Sequence, residues 1–167
     1  MVLFIVSYYY YCGLIIYTKY MKTEKKFALL RIAFGGVWTI DAYFKWLPAF
    51  RSGLLPLLNS MTQGQPMWIQ SWITLWIRII SINPSLFAIL IAIIETIIAL
   101  SLLFGIYTRP ILVASIIFSV LIWSIAEGFG GPYVAGSTDI GSAIMYAFVA
   151  IALLLGEPLK RYSISNT

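Results

Sequence analysis

Two carboxylates flank a glycine-rich connector in the second half of the chain. Glu127 ends one apolar run and Asp139 opens the next, while Gly128, Gly130 and Gly131 lie between them. Acidic groups at the rim of two hydrophobic segments indicate a site at a membrane surface, for an anion or for proton transfer. The alternative is a tight turn between helices, in which the glycines only permit positive φ angles.

A second set of ionisable residues lies inside the apolar runs. Asp41 comes one helical turn before Lys45, the favourable order of acid and base, and Glu95 lies near the centre of another run. Charges at membrane depth are costly and usually serve a function. Arg31 and Lys45 could instead reach opposite interfaces with their long side chains, whereas Asp41 is too short to do so. A carboxylate as deep as Glu95 is expected to be protonated or paired with a base.

The composition is that of an integral membrane protein. The chain has 167 residues, enough for one domain, with 61% hydrophobic and 10% charged residues, whereas soluble domains carry about 25% charged residues. The net charge of +5 does not indicate a nucleic-acid partner, because no basic face alternates with aromatic residues.

Histidine is absent and Cys12 is the only cysteine. Haem held by paired histidines, the common zinc and copper sites and an iron–sulfur cluster are therefore excluded as groups bound by this chain alone. We expect no metal site, and redox chemistry would need a diffusible carrier or a cofactor in a partner subunit.

Apolar runs and helix breakers predict an all-α membrane protein built on a four-helix bundle. The domain covers 27–157 and is followed by a cytoplasmic tail over 158–167. A hydrophobic helix over 1–20 is either a membrane anchor or an upstream extension. The four core spans are predicted over 27–47, 85–107, 110–127 and 139–156, with an amphipathic helix over 67–82 in the outer interface.

Helical periodicity assigns faces to two of these segments. In the first span, five residues fall on one continuous face: Arg31, Gly35, Trp38, Ala42 and Lys45. In the amphipathic helix, Trp68, Trp72 and Trp76 form a stripe. This stripe is typical of the membrane–water boundary, and the alternative is an aromatic lining for a flat ring ligand.

Basic residues predict the topology. Alternating spans place eight of the eleven Lys and Arg residues on one side, which the positive-inside rule makes cytoplasmic, together with the C-terminus. We therefore expect a multi-pass plasma-membrane protein with Lys45, Arg51 and Arg78 outside. Because Glu127 ends a helix, where the dipole disfavours an anion, we expect Lys45 or Arg51 to pair with Glu127 or Asp139.

Two stretches resemble the DoxX/DoxD family of small four-helix membrane proteins. They are W-x3-EGFGGPY-x2-G-x-TD-x-G-x4-Y, which begins at Trp123, and LRIAFGGVWTIDAYFKWLPAFR in the first span. The resemblance covers roughly 27–155 and is closest to the DoxD branch. The matched positions are Arg31, Gly35, Asp41, Lys45, Glu127, Gly128, Gly130, Pro132, Asp139 and Tyr146.

The resemblance implies the membrane subunit of a thiosulfate:quinone oxidoreductase, which oxidises thiosulfate to tetrathionate and reduces a membrane quinone. It also implies a small partner subunit of the DoxA type or a larger oxidase complex. The alternative function is a non-catalytic scaffold or accessory subunit of a terminal oxidase or other membrane oxidase complex.

The candidate residues are expected to transfer protons, to bind thiosulfate or to bind quinone. Carboxylates would deliver the protons that quinone reduction requires, and outer basic residues with loop N–H groups would hold the anion. The proton-transfer candidates are Asp41, Glu95, Glu127 and Asp139; the thiosulfate-binding candidates are Lys45, Arg51, Arg78, Gly128, Gly130 and Gly131; the quinone-binding candidates are Trp38, Trp123 and Tyr146.

Overall fold

The computed structural model describes residues 25–132 and 140–156. The predicted helix over 1–20, Asp139 and the tail over 158–167 lie outside these residues. Within them the chain forms α-helices and one short 3₁₀ turn and contains no strand. The helices are α1 (Lys25–Trp46), α2 (Pro48–Ser60), α3 (Met67–Ile80), α4 (Pro84–Phe104), α5 (Thr108–Ile125) and α6 (Ala143–Leu155), with the 3₁₀ turn at Gly128–Gly130.

Within the described residues, three helices are long and apolar enough to cross a membrane: α1, α4 and α5. The fourth predicted span is represented by α6, which has 13 residues and is therefore about 20 Å long, shorter than a hydrocarbon core of about 30 Å. The prediction that this helix begins at residue 139 is wrong by four residues, since 140–142 are not helical.

The segment before α3 contains a helix that was not predicted. Pro48 occupies the first turn of α2, where its missing N–H is not needed, and Leu47 before it is extended. Pro56 lies inside α2, where proline usually interrupts a helix. The helix nevertheless forms because Leu54 and Leu58, one turn apart, are buried against α3 and α4 in an apolar cluster.

The predicted amphipathic helix over 67–82 is confirmed as α3, which ends two residues earlier at Ile80. Ile69 and Ile73 are completely buried on one face, whereas Trp68 is 62% exposed on another. Arg78 is exposed. The buried and the exposed residues of α3 therefore follow the helical period.

One apolar cluster draws its buried residues from four helices. Its members come from α1, α4, α5 and α6: Phe34, Trp38, Ile98, Ala99, Leu102, Leu112, Ala150 and Leu153. Small residues bring the helices close together. A Cβ on Gly35 would lie 2.9 Å from the backbone nitrogen of Leu103, so α1 and α4 are in near-backbone contact. The face predicted for α1 is confirmed, because Arg31, Trp38 and Ala42 are all buried.

Candidate functional site

A cavity of about 140 Å³ lies between α1, α4, α5 and α6. It brings together six of the candidate residues that the sequence assigned to different runs, and four others. Its lining consists of Trp38, Asp41, Lys45, Glu95, Ser119, Ile122, Glu127, Ser142, Ala143 and Tyr146.

Lys45 and Glu95 form an ion pair between α1 and α4, with 3.8 Å between Lys45 Nζ and Glu95 Oε1. The Glu95 side chain is 2% exposed and the Lys45 side chain 25% exposed, so the carboxylate is buried while the lysine is partly open to its surroundings. A hydrogen bond of 3.0 Å from the Trp46 indole to the Thr96 hydroxyl joins the same two helices. The expectation that Glu95 pairs with a base is met, and the base is Lys45.

We expected Lys45 to pair with Glu127 or Asp139. The expected pair of Lys45 with Glu127 is wrong. Among the described residues, no Lys or Arg nitrogen lies within 4.0 Å of the Glu127 carboxylate. Instead, both its oxygens accept from the backbone N–H of Ala143, at 3.1 and 3.0 Å. The Ser142 hydroxyl donates to the same carboxylate at 2.7 Å. The N-terminal end of α6, which carries a partial positive charge, therefore provides the compensation expected from a lysine.

Asp41 is held by a second polar pair, between α1 and α6. The Tyr146 hydroxyl donates a hydrogen bond of 2.5 Å to Asp41 Oδ2, across 105 residues of sequence. The distance is at the short end of the range for hydrogen bonds to a carboxylate. Two acidic groups thus reach the cavity on different helices, each with its own partner.

An aromatic group forms the inner wall of the cavity. Trp38 is 2% exposed and its ring lies edge-on to Tyr146, with 5.2 Å between centroids. Phe34 and Phe118 also contact this indole, at 6.1 and 6.2 Å. Edge-on and tilted contacts of this kind are favourable for aromatic rings, so the orientation of Trp38 is held by three neighbours.

The remaining candidate residues lie elsewhere. Arg51 on α2 and Arg78 on α3 are exposed and do not line the cavity. Trp123 donates from its indole N–H to the Ile140 carbonyl at 2.6 Å and contacts the ring of Phe129, so it stabilises the loop. The N-terminal N–H of α6 at Ala143 is already bound by Glu127. The basic residues and the loop N–H groups predicted to hold an anion therefore do not form one site.

Packing explains the three glycines that follow Glu127. Gly130 has φ +85°, and a Cβ there would lie 2.1 Å from the Ile140 carbonyl oxygen. At Gly128 and Gly131, a Cβ would meet the side chain of Gln65 at 2.4 Å. The interpretation of this loop as a tight turn therefore accounts for its glycines without a ligand.

A scan against protein-family models and searches of curated proteins and of solved structures found no match for this chain. The resemblance to the DoxX/DoxD family therefore rests on the sequence motifs.

Sequence reasoning missed two polar residues of the site and one of its supports. Ser119 on α5 is 1% exposed and lines the cavity, and Ser142 binds Glu127. Gln65, 5% exposed, donates to the Gly128 carbonyl at 3.4 Å and supports the glycine turn. The signal for Ser119 was a repeat of serines one turn apart, Ser115 and Ser119, in an otherwise apolar helix.

The arrangement is suited to proton transfer to a small neutral molecule. Three carboxyl groups, one ammonium and one phenol surround the cavity, so its lining carries more acidic than basic groups. Such a lining disfavours an additional anion and favours a neutral or protonated ligand. No cluster of three or more His, Cys, Asp or Glu residues suited to a metal ion occurs within 25–132 and 140–156.

Proposed function

We propose that this protein is the quinone-binding membrane subunit of an oxidoreductase, and that thiosulfate is the electron donor. The observation that carries the proposal is the cavity itself, in which Glu95 with Lys45 and Asp41 with Tyr146 meet next to Trp38. Its volume of about 140 Å³ is close to that of an engineered apolar cavity, about 150 Å³, which holds one benzene molecule. One six-membered ring therefore fits.

The stoichiometry of the proposed reaction requires proton donors at the ring. Two thiosulfate ions, one quinone and two protons give one tetrathionate ion and one quinol. The sulfur compounds release two electrons and no protons, so both protons reach the quinone oxygens from the protein. Glu95 is one donor and Asp41 is the other, with Tyr146 between Asp41 and Trp38. This assignment uses the two candidate acids that lie deepest in the apolar runs.

Thiosulfate oxidation is assigned to the small partner subunit, or to a surface completed by it. Within the described residues, Lys45 is paired with Glu95, Arg51 and Arg78 lie on other helices, and Glu127 occupies the N-terminus of α6. The residues predicted to bind thiosulfate on this chain therefore do not lie together. The resemblance to the DoxD branch is the basis for naming thiosulfate as the donor.

The proposed placement in the plasma membrane follows from the helices and the basic residues. In this placement α1, α4, α5 and α6 are the four helices of a membrane bundle, and the apolar cluster to which all four contribute supports this arrangement. The cavity lies toward the outer end, and the C-terminus is cytoplasmic. In this orientation α3 lies in the outer interface.

The test measures thiosulfate-dependent reduction of a short-chain benzoquinone by the purified protein, alone and with its small partner subunit. A positioned proton donor contributes about 10²–10⁴-fold in rate, so Glu95→Gln and Asp41→Asn should each slow turnover by that order. Thiosulfate affinity should be nearly unchanged. Asn59→Asp on the exposed face of α2 makes the reverse exchange of amide and acid away from the cavity and should retain the original rate.

Two outcomes would contradict parts of the proposal. Full turnover in both acid variants would remove Glu95 and Asp41 from the proton route. Failure of every purified form, with or without a partner, to couple thiosulfate to quinone would favour the scaffold or accessory function in an oxidase complex.

A further inference from the structure

Three buried side chains around the cavity each keep one polar atom without a hydrogen-bond partner among the residues that the structure describes. They are Trp38 on α1, Glu95 on α4 and Ser119 on α5, and the atoms are Trp38 Nε1, Glu95 Oε2 and Ser119 Oγ. All three residues are at most 2% exposed. Buried polar groups are nearly always paired in folded proteins, because an unpaired one is destabilising. Three such atoms on different helices around one cavity therefore call for an explanation.

The chemistry of these atoms matches a ligand that accepts hydrogen bonds. An indole N–H can only donate, a serine hydroxyl can donate, and a protonated carboxyl donates one hydrogen bond. A carbonyl oxygen can only accept. The site also fits the reduced form of a ring ligand, whose hydroxyl groups donate, since ionised Glu95 and the Ser119 oxygen can accept.

We propose that Trp38 Nε1, Ser119 Oγ and Glu95 Oε2 are the polar contacts that recognise the ring oxygens of a six-membered cyclic dicarbonyl, the chemical class of a quinone headgroup. This inference deepens the proposed function and rests on it for the identity of the ligand. Trp38 and Ser119 are positioning residues that fix the ring oxygen, and Glu95 is the group that touches it and transfers the proton.

The rigidity of Trp38 supports this role. Its indole is fixed by Phe34, Phe118 and Tyr146, so its N–H cannot turn to another acceptor without displacing these rings. A donor held in place before binding loses little conformational freedom when the ligand arrives. Ser119 lies on α5, which packs against both α4 and α6.

The chain contains matched controls for both positioning residues. Ser115 lies one turn before Ser119 on the same buried face of α5, is 0% exposed, and also has an unpartnered hydroxyl. It does not line the cavity. Likewise Trp76 on α3 has an unpartnered buried indole N–H and lies outside the cavity lining. Ser115→Ala removes the same atom from the same face of the helix, and Trp76→Phe, at a partly buried position, controls for the loss of an indole.

The experiment measures the Kd of a short-chain benzoquinone by calorimetry on the full-length protein in detergent. Ser119→Ala and Trp38→Phe should each weaken binding by about three- to tenfold, the range for one hydrogen bond. Ser115→Ala and Trp76→Phe should leave Kd unchanged. p-Xylene, which has the ring without the oxygens, should bind the unaltered protein, Ser119→Ala, Ser115→Ala and Trp76→Phe equally.

Stability provides a second, independent readout. Removing an unpartnered buried hydroxyl should not destabilise the protein, so Ser115→Ala and Ser119→Ala should both keep or raise the thermal midpoint without ligand. The expected signature of Ser119 is therefore a stable variant with weakened binding, which a purely structural residue would not show.

Three results would overturn the inference. The first is an equal effect of Ser115→Ala and Ser119→Ala on the Kd of the quinone. The second is a loss of p-xylene binding as large as the loss of quinone binding. The third is weaker thiosulfate binding in Ser119→Ala with unchanged quinone binding. Failure of the thiosulfate reaction is distinguishable from these, because the binding pattern can hold in a protein that does not use thiosulfate. If the protein couples thiosulfate to quinone but Ser119→Ala and Trp38→Phe leave the quinone Kd unchanged, this inference is refuted and the proposed function is not.

Discussion

The carboxylate of Glu127, which follows α5, binds the backbone N–H of Ala143, the first residue of α6, at 3.1 and 3.0 Å. One acidic side chain thus serves as the N-terminal cap of the next helix, although Ser142 itself makes no side-chain capping bond. A Cβ on Gly141 would lie 2.4 Å from Glu127 Oε2, so only glycine leaves room for this contact. The cap connects the loop to the cavity wall.

Replacing Glu127 should therefore weaken α6 at its N-terminus. Glu127→Ala removes a charged acceptor from the first N–H of the helix and should lower the free energy of unfolding by about 1–2 kcal/mol. Glu127→Gln keeps one oxygen acceptor and should lower it less. Thermal unfolding in detergent measures the loss, and hydrogen exchange should increase first at residues 143–145. Unchanged exchange there in Glu127→Ala would contradict the cap.

The Lys45–Glu95 pair should show a measurable coupling energy. Removing one partner of a buried pair typically costs about 3–5 kcal/mol, and we expect the lower end because the Lys45 side chain is 25% exposed. A double-mutant cycle with Lys45→Met and Glu95→Gln should give a coupling of about 1–3 kcal/mol. The control cycle combines Glu95→Gln with Arg51→Met, which removes an exposed cation on α2 instead of Lys45. Equal coupling in the two cycles would show that the ion pair does not stabilise the protein.

Adjacent glycines in α1 should respond in opposite directions to alanine. Gly35→Ala places a Cβ 2.9 Å from the Leu103 backbone nitrogen and should destabilise the protein by about 1–3 kcal/mol, as overpacking does. Gly36 has nothing within 4 Å of an added Cβ, so Gly36→Ala should stabilise it by about 0.4–1 kcal/mol. Denaturant titration of both variants checks the close approach of α1 and α4. A stable Gly35→Ala would refute that approach.

Thiol labelling of intact cells tests the proposed orientation. In a Cys12→Ser background, Gln63→Cys in the exposed turn after α2 should react with a membrane-impermeant reagent from outside. Tyr107→Cys between α4 and α5, where the native side chain is 59% exposed, should react only after permeabilisation. The reverse pattern would invert the topology, and labelling of both positions from one side would refute a membrane crossing by α4.

Local sequence determined five of the six helices but not α2. The period of α1 predicted that Arg31, Trp38 and Ala42 share one face, because side-chain direction along a helix depends only on spacing, and the structure shows that this face is buried. The same spacing rule predicted α3 and its stripe of tryptophans. Ionisable residues in apolar runs pointed to Asp41, Lys45 and Glu95 for the same local reason, since the cost of a charge depends on the surroundings that the run itself provides.

Tertiary structure decided which of these groups meet. Lys45 pairs with Glu95 rather than Glu127, and Tyr146 reaches Asp41 across 105 residues. Such pairings depend on the rotation and relative depth of helices that are distant in sequence, and contacts such as Gly35 with Leu103 set these through packing. For the same reason the serine repeat in α5 does not show which of Ser115 and Ser119 lies at the cavity. Only the assembled helices show that the buried hydroxyl of Ser119 has no partner among the described residues and borders the cavity.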